Sequence, residues 1–266
     1  MKLCLDVGNS QMHGGVYRDE QLVCQFRRET TKASRDELGL FLVAVLREQG
    51  VDPTRIARIG ISCVVPAQVH ALRNACRIYF EREPLFVEAG IRTRIRIRTR
   101  NPLEVGADRI ANAVAATLHL SGGNVLVVDF GTALTIDAVS GRGEYLGGVI
   151  APGLGLAMDA LGTKTAKLPL VEILRPERVL GRSTIESIQS GLYYGYAGLI
   201  ASLTERLKAE AFGADDCRII ATGGFAQLYR QAGLFDEIVP DLVLRGVAAL
   251  LDFNPVAEDT DGGLDA

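Results

Sequence analysis

Asp6-Val7-Gly8-Asn9-Ser10 and Asp129-Phe130-Gly131-Thr132-Ala133 decide how this chain reads. Each stretch follows an apolar run and leads into a further β-type run, so each looks like a strand leaving into a glycine turn. Glycine lets backbone N–H groups approach an anion closely, and the Asn or Thr beside it adds a side-chain donor. The Asp at the strand end repels phosphate itself and suits a cation or its water shell. Placing Asp6 on Asp129 is a shift of 123 residues, which also sets Gly8 on Gly131, Asn9 on Thr132 and, without a gap, Leu22-Val23 on Tyr145-Leu146. One Asp-x-Gly is ordinarily only a hairpin turn. Two copies with matching flanks imply a duplicated α/β domain whose turns clamp the β- and γ-phosphates of a nucleotide with its Mg²⁺.

Working outward, the first half opens with strands at 3–7, 13–17 and 21–26 around the Arg18-Asp19-Glu20 corner. Ser34 with Glu37 forms a capping box for a helix whose apolar face is Leu38, Phe41, Leu42, Val45 and Leu46. A strand at 59–65, a helix near 67–81, strands at 85–88 and 91–99, and a helix from Gly106 to about Leu120 follow. Gly122-Gly123 then breaks the chain and the pattern restarts with strands at 124–129, 134–139 and 145–150. A short helix at 156–161, a long helix from Ser183 to about Glu210, a strand at 217–221 and a helix at 239–251 complete it. The expected domains are residues 1–121 and 122–253, with the acidic tail 254–266 expected to be disordered. Ala221-Thr222-Gly223-Gly224-Phe225 joins strand to helix, where a base or ribose could lie on bare backbone, although Gly-Gly serves equally as a plain joint. No GxxxxGK[ST] or GxGxxG pattern supports a P-loop or Rossmann site.

Composition narrows the class. The 266 residues carry 29 Lys plus Arg against 32 Asp plus Glu, with 48% hydrophobic residues, the balance of a soluble globular protein. A net charge of −3 gives no broad reason to expect nucleic acid or an anionic membrane as partner. The five cysteines form no CxxC pair or Cys/His cluster, so reduced thiols, a cytoplasmic protein and no structural zinc are expected. Asp6 interrupts the N-terminal apolar run, and the longest uncharged stretch, 145–158, is broken by glycines and Pro152, so neither a secretory leader nor a membrane span is expected.

Taken together these features resemble the actin-like ATPase superfamily, which includes sugar kinases and acetate kinase, and more specifically the type III pantothenate kinases. The matching stretches are the two Asp-x-Gly turns, 101–109 with Gly106-Ala107-Asp108-Arg109, 147–153, 184–191 and 221–224, in unbroken order from residue 1 to about 252. The resemblance implies duplicated ribonuclease-H-like domains with a nucleotide cleft between them, and transfer of the γ-phosphate of ATP to pantothenate, the first step of coenzyme A biosynthesis. It implies Asp108 as the base for the attacking hydroxyl, and Gly106, Ala107, Asp108, Arg109 and Thr184 as pantothenate contacts. Asp6, Val7, Gly8, Asn9, Ser10, Gln11, Met12, His13 and Thr132 match the ATP segments, and Asp129 the residue that holds K⁺ or NH₄⁺. Mg²⁺ and a homodimer meeting at the pantothenate site are implied as well. A dimer is also hinted at by Gly191, Gly195 and Gly198 on one face of the long helix, which intrachain packing explains equally well.

Physically, Asp108 and Arg109 fall in a first helical turn, where the dipole favours a carboxylate and should make Asp108 a weak base. Arg109 is expected to hold the pantothenate carboxylate in bidentate fashion, and Thr184 to face the same cleft. One departure stands out. Residues 91–100 alternate apolar or Thr residues with Arg92, Arg94, Arg96, Arg98 and Arg100, as in a strand with one guanidinium face, and Thr99 stands where the family usually has an aromatic residue. The arginine face reads as a solvated edge strand, or alternatively as an anion-binding surface. Two other readings of the whole remain at this point: a non-catalytic transcription accessory relative, and a kinase of the same superfamily with another hydroxyl acceptor.

Overall fold

The computed structural model describes residues 1–165 and 167–255; the expectation for the acidic tail falls outside them from residue 256 onward. The chain runs β1 (Lys2–Val7), β2 (Gln11–Arg18), β3 (Gln21–Glu29), α1 (Arg35–Glu48), β4 (Arg58–Cys63), α2 (Pro66–Phe80), β5 (Leu85–Phe86), β6 (Arg96–Ile97) and α3 (Ala107–Leu120). It continues with β7 (Asn124–Phe130), β8 (Ala133–Ser140), β9 (Glu144–Pro152), α4 (Leu154–Lys164), α5 (Thr184–Phe212), β10 (Cys217–Gly223), β11 (Glu237–Ile238) and α6 (Leu242–Phe253). Two mixed sheets result, in the orders β3-β2-β1-β4-β5 and β11-β10-β7-β8-β9-β6. In each, a central strand with Asp as its penultimate residue pairs antiparallel with the strand after its turn and parallel with a later one.

Strand periodicity decides which way the turns face. Leu3, Leu5 and Val7 point to the outer side of the first sheet and pack with Leu38, Leu42, Leu46 and Leu72 of α1 and α2. Cys4 therefore points inward, against Ala111 and Val114 of α3 and Val247 and Leu251 of α6. In the second sheet Leu126, Val128 and Phe130 pack outward against Leu192, Tyr193 and Ile200 of α5, and Val125 and Val127 inward against Ala113 and Ala116 of α3. By the same alternation Asp6 and Asp129 face the space between the sheets. The molecule is five layers deep, with α3 and α6 as the shared central layer.

That central layer is tight. A side chain on Gly246 of α6 would stand 1.9 Å from the carbonyl oxygen of Ala111 on α3, so the two helix backbones meet where no Cβ fits. α6 also lies on β1 and β4, although its sequence follows the second sheet.

Most expected elements form within a few residues. The stretch at 91–99 does not: only Arg96 and Ile97 pair, with Glu144 and Tyr145, because Gly90 and Arg94 adopt left-handed backbone and turn the chain before a strand can extend. The alternation survives without the strand, since all five arginines are exposed and the residues between them half-buried. β6 is an edge of its sheet, in agreement with the solvated-edge reading. The helix expected at 156–161 is longer, starting at Leu154 on the Gly153 cap, and the last helix begins at Leu242, after Pro240. The cysteines are all free, Cys4 and Cys76 buried and the others half-buried.

Candidate active site

Both Asp-x-Gly turns open into one cleft of about 550 Å³ between the sheets. Asp6, Gly8, Asn9, Ser10, Gln11, His13, Asp108, Asp129, Gly131 and Thr132 all line it, so Gly8 and Gly131 share a crevice. The turns touch: the Ser10 and Thr132 hydroxyls lie 2.9 Å apart and share a hydrogen bond. The first turn is pinned by the Gly8 N–H donating to Gln11 O (3.0 Å) and by the Thr30 hydroxyl donating to Gly8 O (2.7 Å). The third glycine site closes the far wall. Gly223, at φ +88°, sits so close to Asp129 Oδ1 that a Cβ would stand 2.6 Å from it, and the Gly224 N–H donates to Phe130 O.

Cross-strand register builds two facing rows. On the first sheet Ser62, Asp6, His13 and Arg27 are successive partners across β4, β1, β2 and β3. On the second, Thr222, Asp129, Thr135 and Ile150 are partners across β10, β7, β8 and β9. Partners in register project to the same face, which is the cleft. Ser62 donates to Asp6 Oδ1 at 2.8 Å, and Asn112 of α3 donates to Asp129 Oδ2 at 2.7 Å. One turn before Asn112, the first turn of α3 presents Asp108 to the same space.

Three carboxylates thus crowd one cleft. Burial, and next the charge of Asp108, pushes Asp6 and Asp129 each up to about 7. Burial also raises Asp108, and this outweighs the Arg109 N–H that its Oδ1 accepts at 2.8 Å. The helix start was expected to leave Asp108 a weak base. Desolvation makes it a stronger one. Among the described residues no three His, Cys, Asp or Glu side chains lie close enough to hold an ion by themselves. A divalent ion here would draw its remaining ligands from phosphate and water, the usual habit of Mg²⁺.

Several expected contacts do not reach the cleft. Val7 and Met12 are core side chains, 1% and 4% exposed, and offer only backbone to a nucleotide. Gly106 caps α3 and Ala107 is buried beside it; neither lines the cleft, and nor does Arg109. Arg109 donates through Nε (2.9 Å) and Nη2 (2.5 Å) to Oδ1 of Asp137, which also accepts the Tyr145 hydroxyl at 2.6 Å. The Nε–Nη2 edge is thus engaged, while the Nη1–Nη2 end keeps the free N–H groups that the expected bidentate hold on a carboxylate needs. Thr184, expected to face the cleft, stands exposed at the start of α5 and does not line it within one chain. Near it Leu180 and Ile185 are exposed, and a Cβ on Gly191, Gly195 or Gly198 would meet nothing within 4 Å, so intrachain packing does not account for those glycines. Thr99 is half-buried with its hydroxyl oxygen buried and unpartnered.

Sequence reasoning missed Arg27 and Asp137. Arg27 sits on the exposed side of an alternating strand, and Asp137 is one polar residue in a buried one. Only the register across the sheets reveals what each faces.

A family model described as type III pantothenate kinase matches residues 2–206. A type III pantothenate kinase of Legionella pneumophila (strain Paris) is 52% identical over 247 residues, covering 93% of this chain and 96% of that protein. Among solved structures, a conserved Baf family protein from Campylobacter jejuni aligns with a TM-score of 0.59 at 19% identity, covering 95% of this chain and 98% of its own. Component A of (R)-2-hydroxyglutaryl-CoA dehydratase from Acidaminococcus fermentans aligns with a TM-score of 0.51 at 15% identity, covering 95% and 97%. Likeness at these identities bears on the fold, the duplicated ribonuclease-H-like architecture of actin-like ATPases and sugar kinases.

Proposed function

The chain belongs to the type III pantothenate kinase family, and from that premise we propose how its own residues carry out the ATP-dependent phosphorylation of pantothenate to 4'-phosphopantothenate, the first step of coenzyme A biosynthesis. The observation that carries the assignment is the meeting of both Asp-x-Gly turns and Asp108 in one cleft. ATP binds there with its phosphates against the backbone of 6–13 and the hydroxyl of Thr132. The terminal hydroxyl of pantothenate attacks the γ-phosphorus, the bond from that phosphorus to the β,γ-bridging oxygen breaks, and ADP leaves with the electron pair. Asp108 takes the hydroxyl proton, and its upward shift supports that role. A loose transition state asks chiefly for positioning and charge neutralisation.

Arg109 holds the pantothenate carboxylate through the Nη1–Nη2 end left free by Asp137, and Gly106 and Ala107 shape the site at the start of α3. Asp137 and Tyr145 act as positioning residues for that guanidinium. Mg²⁺ fits a cleft whose carboxylates are too few to cage it, and Asp129 with Asn112 behind it suits a monovalent cation, K⁺ or NH₄⁺. These ions, when bound, supply charge neutralisation for the triphosphate. Thr184 reaches pantothenate across a homodimer contact, a reading supported by its exposure and by the open surface at Gly191, Gly195 and Gly198. Residues 1–121 and 122–253 serve as the two lobes, with α6 seated on the first. A cytoplasmic location suits a chain in which no described helix is long and apolar enough to cross a membrane.

ATP consumption measured with and without pantothenate, first in K⁺ and then in Na⁺, tests this. Turnover should need pantothenate and K⁺ or NH₄⁺, and Asp108→Asn should lose on the order of 10²–10⁴ in rate. Absence of pantothenate-dependent turnover in K⁺ would remove the assignment, and unchanged catalysis by Asp108→Asn would remove Asp108 as the base.

A further inference from the structure

Among the described residues, those that line the cleft include four carboxylates, Asp6, Asp108, Asp129 and Asp159, and a single Lys or Arg, Arg27. A triphosphate entering such a space meets one cationic side chain among several acidic ones. Arg27 ends the row Ser62, Asp6, His13, Arg27 across the first sheet, so its side chain leaves β3 on the face that holds Asp6. Its charge is felt there, lowering His13 and opposing the upward shifts of Asp6 and Asp129.

The guanidinium is also uncommitted. Among the described residues no carboxylate lies within ion-pair distance of it. Neighbouring arginines differ: Arg28 stacks over the Phe41 ring and Arg109 is tied to Asp137. The corresponding place in the facing row holds Ile150, so the two halves, alike in their Asp-x-Gly turns, part company here. An exposed, unpaired arginine retained opposite paired acids has no packing role to explain it, and a fork of N–H donors matches phosphoryl oxygens.

We propose that Arg27 is a catalytic residue that contacts the γ-phosphoryl oxygens of ATP and neutralises the charge spread over them during transfer. It neither gives nor takes a proton: the proton of the attacking hydroxyl goes to Asp108 and the electron pair of the broken P–O bond to ADP. The inference rests on the reading that the triphosphate lies between the two turns.

Arg27→Met and Arg27→Lys test it, with Asp108→Asn measured alongside, because removing an exposed side chain without an ion pair leaves the fold intact. Steady-state rates in K⁺ are compared with calorimetric affinities for a non-hydrolysable ATP analogue and for ADP. Arg27→Met should lower kcat on the order of 10²–10³, within the scale of an arginine acting on phosphoryl transfer. It should weaken the triphosphate analogue more than ADP and leave KM for pantothenate within about 3-fold. Arg27→Lys, which keeps the charge and loses the fork, should fall between Arg27→Met and the parent. Parent-like turnover by Arg27→Met beside an inactive Asp108→Asn would overturn the proposal and leave the cleft assignment standing. Equal weakening of ADP and analogue would likewise overturn it, moving Arg27 to the inner phosphates. Parent-like turnover by all three variants would instead sink the cleft reading itself.

Discussion

His13 is 5% exposed, pairs with Gln25 Oε1 at 3.3 Å, and lies between Asp6 and Arg27 in register. Burial, and then the Arg27 charge, pushes its imidazole down from 6.5 to about 4. Between those two values an unfolded chain takes up a proton that the folded one refuses, so stability falls as pH drops from 6.5 to 4. The loss amounts to roughly 3 kcal/mol at most. Denaturant unfolding at pH 7 and at pH 4.5 should show His13→Gln losing less stability than the parent over that interval. Parallel losses would mean the imidazole is already charged in the fold. The two Asp-x-Gly turns were legible in the sequence because glycine and strand exit are local signals. Arg27 and Asp137 were not, because β3 alternates like any half-exposed strand and a lone Asp in an apolar run does not announce its partner.

Helices show the same division at the next scale. α1 and α5 were legible because Ser34 with Glu37 and Ser183 with Glu186 mark their starts; both reciprocal bonds form at α1, while at α5 the Glu186 N–H donates to Ser183 and its carboxylate accepts from the Arg182 N–H. The run at 91–99 misled because alternation is necessary for a strand and not sufficient; two left-handed residues leave only Arg96 and Ile97 to pair. What no periodicity encodes is the crossing of α3 and α6, which depends on the missing side chain of Gly246 against the Ala111 carbonyl. Gly246→Ala should cost about 1–3 kcal/mol from overpacking, more than the helix propensity that alanine gains. At about 2–4 °C per kcal/mol for a chain of this size, the melting temperature should fall measurably. Activity should fall with it, since α3 carries Asp108 at its first turn. An unchanged melting temperature would show that the helices separate without cost.

Across the whole molecule, the duplication was readable from the 123-residue shift, and the facing of the turns follows from strand alternation on both sheets. The placement of the last helix was not readable. α6 fills the inner side of β1 and β4, so the first 121 residues lack Val247 and Leu251, which pack at Cys4 and Gly60, and Asp241, which accepts the Tyr17 hydroxyl. Residues 1–121 produced alone should therefore show no cooperative thermal transition by circular dichroism, and adding residues 122–253 as a separate chain should restore one. A cooperative transition in the shorter piece by itself would show that its core closes unaided. Since the helix that covers the inner face of the first sheet follows the whole second sheet in sequence, that face waits partly bare until the second half has been made. Nascent chains released early would carry a bare apolar face, the kind of surface that chaperones and proteases recognise.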